Sequence, residues 1–98
     1  METEIIRNGS EIIVAVKGRL NTLTAPQLEK ELKTAIGDAD KLIFDFAGLE
    51  YISSAGLRVL LSSMQIMNGR GGMVLRNVRP DVLEVFEVTG FIDSLDIE

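Results

Sequence analysis

The chain has 98 residues, 46% of them hydrophobic and 26% charged, with a formal net charge of -5 and neither cysteine nor histidine. That length predicts one domain over residues 1–98, able to fold without metal or disulfide staples and too hydrophobic to be disordered. An acidic balance with dispersed basic residues argues against nucleic acid or an anionic membrane as the main partner, and Arg76 with Arg79 is only a loose basic pair.

In chain order, residues 4–7 and 11–16 read as two strands joined by the tight turn that Asn8-Gly9 favours. The second strand, Ile12-Ile13-Val14-Ala15-Val16, is continuously apolar, which predicts cover on both of its faces. It is also too short and too closely flanked by acids for a secretory signal. No apolar run approaches the roughly 20 residues that span a bilayer, so a soluble cytoplasmic protein is expected.

A helix follows. Thr24 and Gln27 fit a capping box, Leu23 and Leu28 a hydrophobic staple, and Pro26 falls in the first turn, where its missing N–H costs little. Leu28, Leu32, Ala35 and Ile36 form one core-facing stripe that Gly37 ends, while Glu29, Lys30, Glu31 and Lys33 face solvent. Residues 41–46 form a central strand, residues 47–53 a loop, and residues 57–67 a largely buried helix that the glycines of 68–72 terminate. A fourth strand at 73–76 precedes a helix opened by Pro80 and closed by Gly90-Phe91. Residues 94–98 are either a short last strand or a frayed tail. The pattern is an α/β layer, which by itself names no activity.

Little of the sequence offers catalytic chemistry. Without histidine or cysteine the usual general base, metal ligand and thiol nucleophile are missing, and no motif ties Lys17 or Lys41 to Ser53 or Ser54 as an activating base. Asp38 and Asp40 follow a helix stop and read as a solvated turn. Gly69-Arg70-Gly71-Gly72 lies between a helix and a strand, the reverse of a phosphate-cradling loop, and Met64 and Met67 have the spacing of core filling. Tyr51-Ile52-Ser53-Ser54-Ala55-Gly56-Leu57 is different, because two hydroxyls stand at the start of a buried helix, followed by two very small residues. One reading is a serine N-cap and the other is an anion site at the helix start, and both can hold together.

With these residues the chain resembles the STAS family, shared by anti-sigma factor antagonists and the cytoplasmic tails of sulfate transporters. Gly18-Arg19-Leu20-Asn21 with Thr24-Ala25 is similar to the family's first signature. Phe44-Asp45-Phe46, Leu49, Tyr51, Ile52 and Ser53 to Leu57 are similar to the second, and Gly71-Gly72, Phe86 and Thr89-Gly90-Phe91 fit the remainder. The resemblance implies a mixed sheet of about four to five strands layered with about three to four helices. It further implies a non-enzymatic anti-sigma factor antagonist without cofactor, and Ser54 as the serine phosphorylated by a kinase that is also the anti-sigma factor. The same resemblance implies a PP2C-type phosphatase that resets that switch. Asn21, Thr22, Ser53, Ser54, Ala55, Gly56 and Arg58 are the implied partner-binding residues. Ser53 and Asn21 stand where the family usually has acids, and Ala55 replaces the hydroxyl after the phosphosite. An alternative is a STAS scaffold or transporter accessory subunit that binds without phosphorylation.

Overall fold

In the computed structural model, which describes residues 1–98, the Asn8-Gly9 turn joins β1 (Glu2–Asn8) to β2 (Glu11–Leu20) as an antiparallel hairpin in which Ile6 lies opposite Ile13. Gly9 takes a φ of +64°, the left-handed conformation that glycine adopts without strain. The chain continues through α1 (Ala25–Ile36), β3 (Lys41–Asp45), β4 (Leu49–Ile52), α2 (Ser54–Met67), β5 (Met73–Arg76) and α3 (Pro80–Thr89), then a short 3-10 turn at Phe91–Asp93. Strand order is β1-β2-β3-β5, with β3 parallel to β2 and β5 parallel to β3. The right-handed βαβ crossover preference accounts for helices collecting on one side of such a sheet.

The core lies between that sheet and the three helices. Val14, Val16, Leu42, Phe44 and Leu75 point from the strands toward Leu28 and Leu32 of α1, Leu57 and Leu60 of α2, and Phe86 of α3. Stacking of Phe44 on Phe46, with ring centroids 5.3 Å apart, adds aromatic contact to area burial of about 1.5–3 kcal/mol per large side chain. The α1 stripe is as the periodicity predicts, with Leu28, Leu32 and Ile36 buried, although Glu31 is not simply solvated: it accepts a 2.8 Å hydrogen bond from Thr3.

Two expectations change, and one open alternative is narrowed. β2 is covered on one face only: Ile12, Val14 and Val16 are buried while Ile13 and Ala15 are half-exposed, and the molecule is just 19 Å along its shortest axis, the thickness of two layers. Continuous apolar sequence here reflects a central position in the sheet, not a second helical layer. Residues 49–52, expected as loop, form β4, which pairs with the far end of β2 after a register shift between Gly18 and Arg19. The C-terminal residues lie beside β5 through a bridge between Leu75 and Ile97, a single contact short of a strand.

Candidate functional site

The turn between β2 and α1 is organised by Asn21. Its Oδ1 accepts from the backbone N–H groups of Leu23 and Thr24, at 3.0 and 3.2 Å, the Asx geometry in which a side chain stands in for a backbone carbonyl. Thr24 faces back into this turn: its Oγ1 accepts from the Asn21 N–H and donates to the Arg19 carbonyl, both at 2.9 Å. The capping box is therefore not formed, because Thr24 has helical backbone angles and its hydroxyl is engaged elsewhere, with no cap bond to α1. The staple fails for the same reason. The turn directs Leu23 outward, where it is 88% exposed, while Leu28 is buried alone.

At α2 the local chemistry is the reverse. Ser53 precedes the helix with extended backbone angles, the conformation an N-cap needs, and its Oγ accepts a long 3.5 Å bond from the Gly56 N–H. Ser54 is the first helical residue and is exposed. Its own N–H and that of Ala55 belong to the first-turn donors for which a helix has no internal acceptor. No acidic side chain occupies this first turn, so nothing offsets the positive end of the helix dipole.

Gly56 explains how the helix start is held so near the sheet. A Cβ built there would stand 2.8 Å from Cγ1 of Ile52 and 2.8 Å from Cγ of Leu20, closer than carbon atoms pack. Gly56 is thus a buried seat for α2, and of the residues expected to meet a partner it is the one that is buried. The same junction is tied by the Ser53 N–H, which donates to the Leu20 carbonyl at 2.9 Å, and by pairing of Arg19 with Tyr51 and of Leu20 with Ile52.

These ties bring the two chain segments together. Thr22 from the turn, Pro26 and Glu29 from α1, and Ala55 and Arg58 from α2 line one open groove between the two helices. Arg58 is exposed one helical turn beyond Ser54 and takes part in none of the chain's three ion pairs. Asn21 is half-buried and serves the turn, so its side chain is mainly a brace. Asp38 and Asp40 are exposed in the turn after α1, far along the chain from this junction, and no group of three acidic side chains is placed to hold a metal ion.

Sequence reasoning passed over three features of this end of the molecule. The staple pattern pairs Leu23 with Leu28, and only the Asn21 side chain at the head of the turn signals that Leu23 faces outward. Arg19 lies 4.2 Å from the centroid of the Tyr51 ring, a cation–π contact between β2 and β4 that depends on a pairing with no periodic signature. Glu29 faces the groove and pairs with Lys33 at 4.0 Å.

With the geometry in place, comparison with known proteins is specific. The model of the STAS domain matches residues 2–98. A Bordetella bronchiseptica protein named "Putative anti-sigma factor antagonist BtrV" is 41% identical over 88 residues, covering 88% of this chain and 76% of its own. In three dimensions the chain is similar to the anti-sigma factor antagonist SpoIIAA in its unphosphorylated form, with a TM-score of 0.83 at 22% identity, over 99% of this chain and 88% of the other. The phosphorylated form of the Bacillus cell fate determinant SpoIIAA superposes with a TM-score of 0.75 at 21% identity, over 99% and 91%. The chain belongs to the STAS domain family.

Proposed function

We propose that this protein is a non-enzymatic, cytoplasmic anti-sigma factor antagonist that works by partner switching. Unphosphorylated, it binds an anti-sigma factor that is also a serine kinase, through the surface formed by the Asn21 turn, the start of α2 and the groove between α1 and α2. Phosphorylation of Ser54 ends that binding, and a PP2C-type phosphatase restores it. The observation that carries this reading is exposed Ser54 as the first residue of α2, next in sequence to Ala55, which lines the groove between α1 and α2. The relative named as an anti-sigma factor antagonist supports the partner class, and a phosphorylated neighbour of the same fold is compatible with the modification.

The physical basis is an asymmetry of cost. A phosphate brings about -1.5 to -2 charges at pH 7 and is poorly tolerated inside an interface. The helix start accommodates the same anion, with a favourable dipole contribution of about 0.3–1 kcal/mol. The fold is therefore little disturbed while each 1.4 kcal/mol of interface penalty weakens binding about tenfold. The two departures from the usual acids keep the hydrogen bonds an acid would make: Ser53 caps α2 and Asn21 closes its turn. What they remove is negative charge.

The test is to incubate the purified chain with ATP and each candidate anti-sigma factor serine kinase of the same organism, and to follow phosphate by mass. Wild type gains one phosphate, Ser54→Ala gains none, and Ser54→Asp binds the kinase at least about tenfold more weakly. Equal kinase binding by all three proteins, with no phosphate gained, overturns the switch and favours a scaffold that binds without modification.

A further inference from the structure

The sheet face turned away from the helices carries a pattern that the proposed switch does not use. Strand register places Ile6, Ile13, Ile43 and Val74 in one row across all four strands, one residue from each. Side chains alternate along a strand, so the rows on either side of it on this face follow directly. One flanking row runs Glu4, Ala15, Asp45, Arg76, and the other holds Glu11 beside Lys41. Acids thus stand at β1 and β2 where the basic residues stand at β5 and β3. Ile43 and Val74 are already buried within the single chain, at 3% and 7% exposure, so the row is open at Ile6, which is 49% exposed, and in part at Ile13.

This arrangement is self-complementary under one symmetry operation. A two-fold axis running along the strands between β2 and β3 lays β1 over β5 of a second copy, and β2 over β3. Rows stay aligned, so the apolar row covers itself in reverse, with Ile6 over Val74 and Ile13 over Ile43. Glu4 then faces Arg76 of the second copy, a guanidinium that also pairs with Glu98 of its own chain at 3.4 Å, and Glu11 faces its Lys41, each twice, while the one remaining charge on these rows, Asp45, meets only Ala15. Turning the axis by a right angle instead sets β1 against β1, which pairs Lys41 with Asp45 twice but brings the unpaired Glu4 over Asn8, Glu11 over Ala15 and leaves Arg76 without a partner in the second copy, so it makes half as many charge matches. Sheets that pack face to face keep their strands within about 30° of each other, as the first arrangement requires.

We propose that the open sheet face is a self-association surface, on which a second copy of this chain docks in that two-fold register. The affinity is low. At about 4.8 Å between strands and about 3.3 Å per residue the face is on the order of 300 Å² in outline, well below the roughly 800 Å² per partner of a standard interface. A net charge of -5 on each copy also opposes association. The paired charges therefore select orientation more than they add strength, and the dimer forms at high local concentration. Because this face is opposite the helices, the Ser54 surface stays free in the dimer.

Charge reversal divided between two proteins tests the register. Glu11→Lys puts two cations, and Lys41→Glu two anions, at the positions that face each other, so each variant repels itself while the two complement one another. In sedimentation equilibrium at loadings up to about 1 mM, where weak dimers are populated, wild type forms a dimer, each variant alone is monomeric, and their equimolar mixture associates at least about tenfold more tightly than either. Thermal melts of both variants establish that they fold. A control mixture of Glu29→Lys with Lys33→Glu has the same net charges on the helical side and shows no such gain. A wild-type chain that is monomeric throughout, a variant mixture no tighter than its components, or a control mixture that associates equally would each overturn the proposal.

Discussion

The starts of α1 and α2 both present a hydroxyl residue ahead of an apolar helix, yet only one of them behaves as a cap. Thr24 has helical backbone angles and turns its hydroxyl into the preceding loop, bonded to Asn21 and Arg19. Ser53 is extended and reaches forward to Gly56. The difference lies in what precedes them. Asn21 closes an Asx turn that recruits Thr24, whereas Ser53 emerges from β4 with its N–H already held by Leu20, leaving its side chain free to cap. A further contrast concerns anions. α1 has Pro26, which lacks a donor, in its first turn, and α2 has free amides under an exposed serine. A hydroxyl before a helix is thus an ambiguous signal until the backbone around it is known.

The sharpest way to break α2's side of this comparison is Gly56→Val. Added carbon must displace Leu20 and Ile52 in a packed core, so urea unfolding should show a loss of about 3 kcal/mol. A smaller effect separates the two hydroxyls. Thr24→Ala removes two 2.9 Å bonds and should cost about 1–2 kcal/mol, whereas Ser53→Ala removes one 3.5 Å cap and should cost about 0.5 kcal/mol. Thermal denaturation should therefore rank Thr24→Ala below Ser53→Ala, although it is Ser53 and not Thr24 that caps a helix. Similar in size to the loss of that cap but opposite in sign, Ser53→Asp places a carboxylate at the positive end of α2 and should stabilise by about 0.3–1 kcal/mol at low ionic strength, a gain that added salt erodes.

Much of the fold was legible because its elements carry their own signals. The Asn8-Gly9 turn, the Leu28–Leu32–Ile36 stripe and Pro80 at the start of α3 each rest on local chemistry, and each stands in the structure as its residues predict. β4 was not legible. Its four residues alternate in neither burial nor polarity, and its partner is a stretch of β2 beyond a bulge at Gly18, where φ is +89°. The face coverage of β2 was misread since a central strand under one helical layer can be as apolar as one under two. At the site, Ser53 and Ser54 stood out by type and position, while the outward turn of Leu23 and the seating role of Gly56 depend on contacts from segments distant in sequence.

The bulge at Gly18 makes β2 a shared strut. Below it the strand pairs with β3 in the main sheet; above it the same strand pairs with β4 and carries the Asn21 turn at its tip. Ser53 hangs from that tip as well, through the Leu20 carbonyl. Both walls of the candidate site are accordingly fastened to one short length of backbone, and fraying of the β2–β4 seam would release them together while the larger sheet stayed closed. Deuterium uptake at Ser53 and at the amides of the Asn21 turn should then rise in step, as a single local opening, well before the amides of β3 exchange.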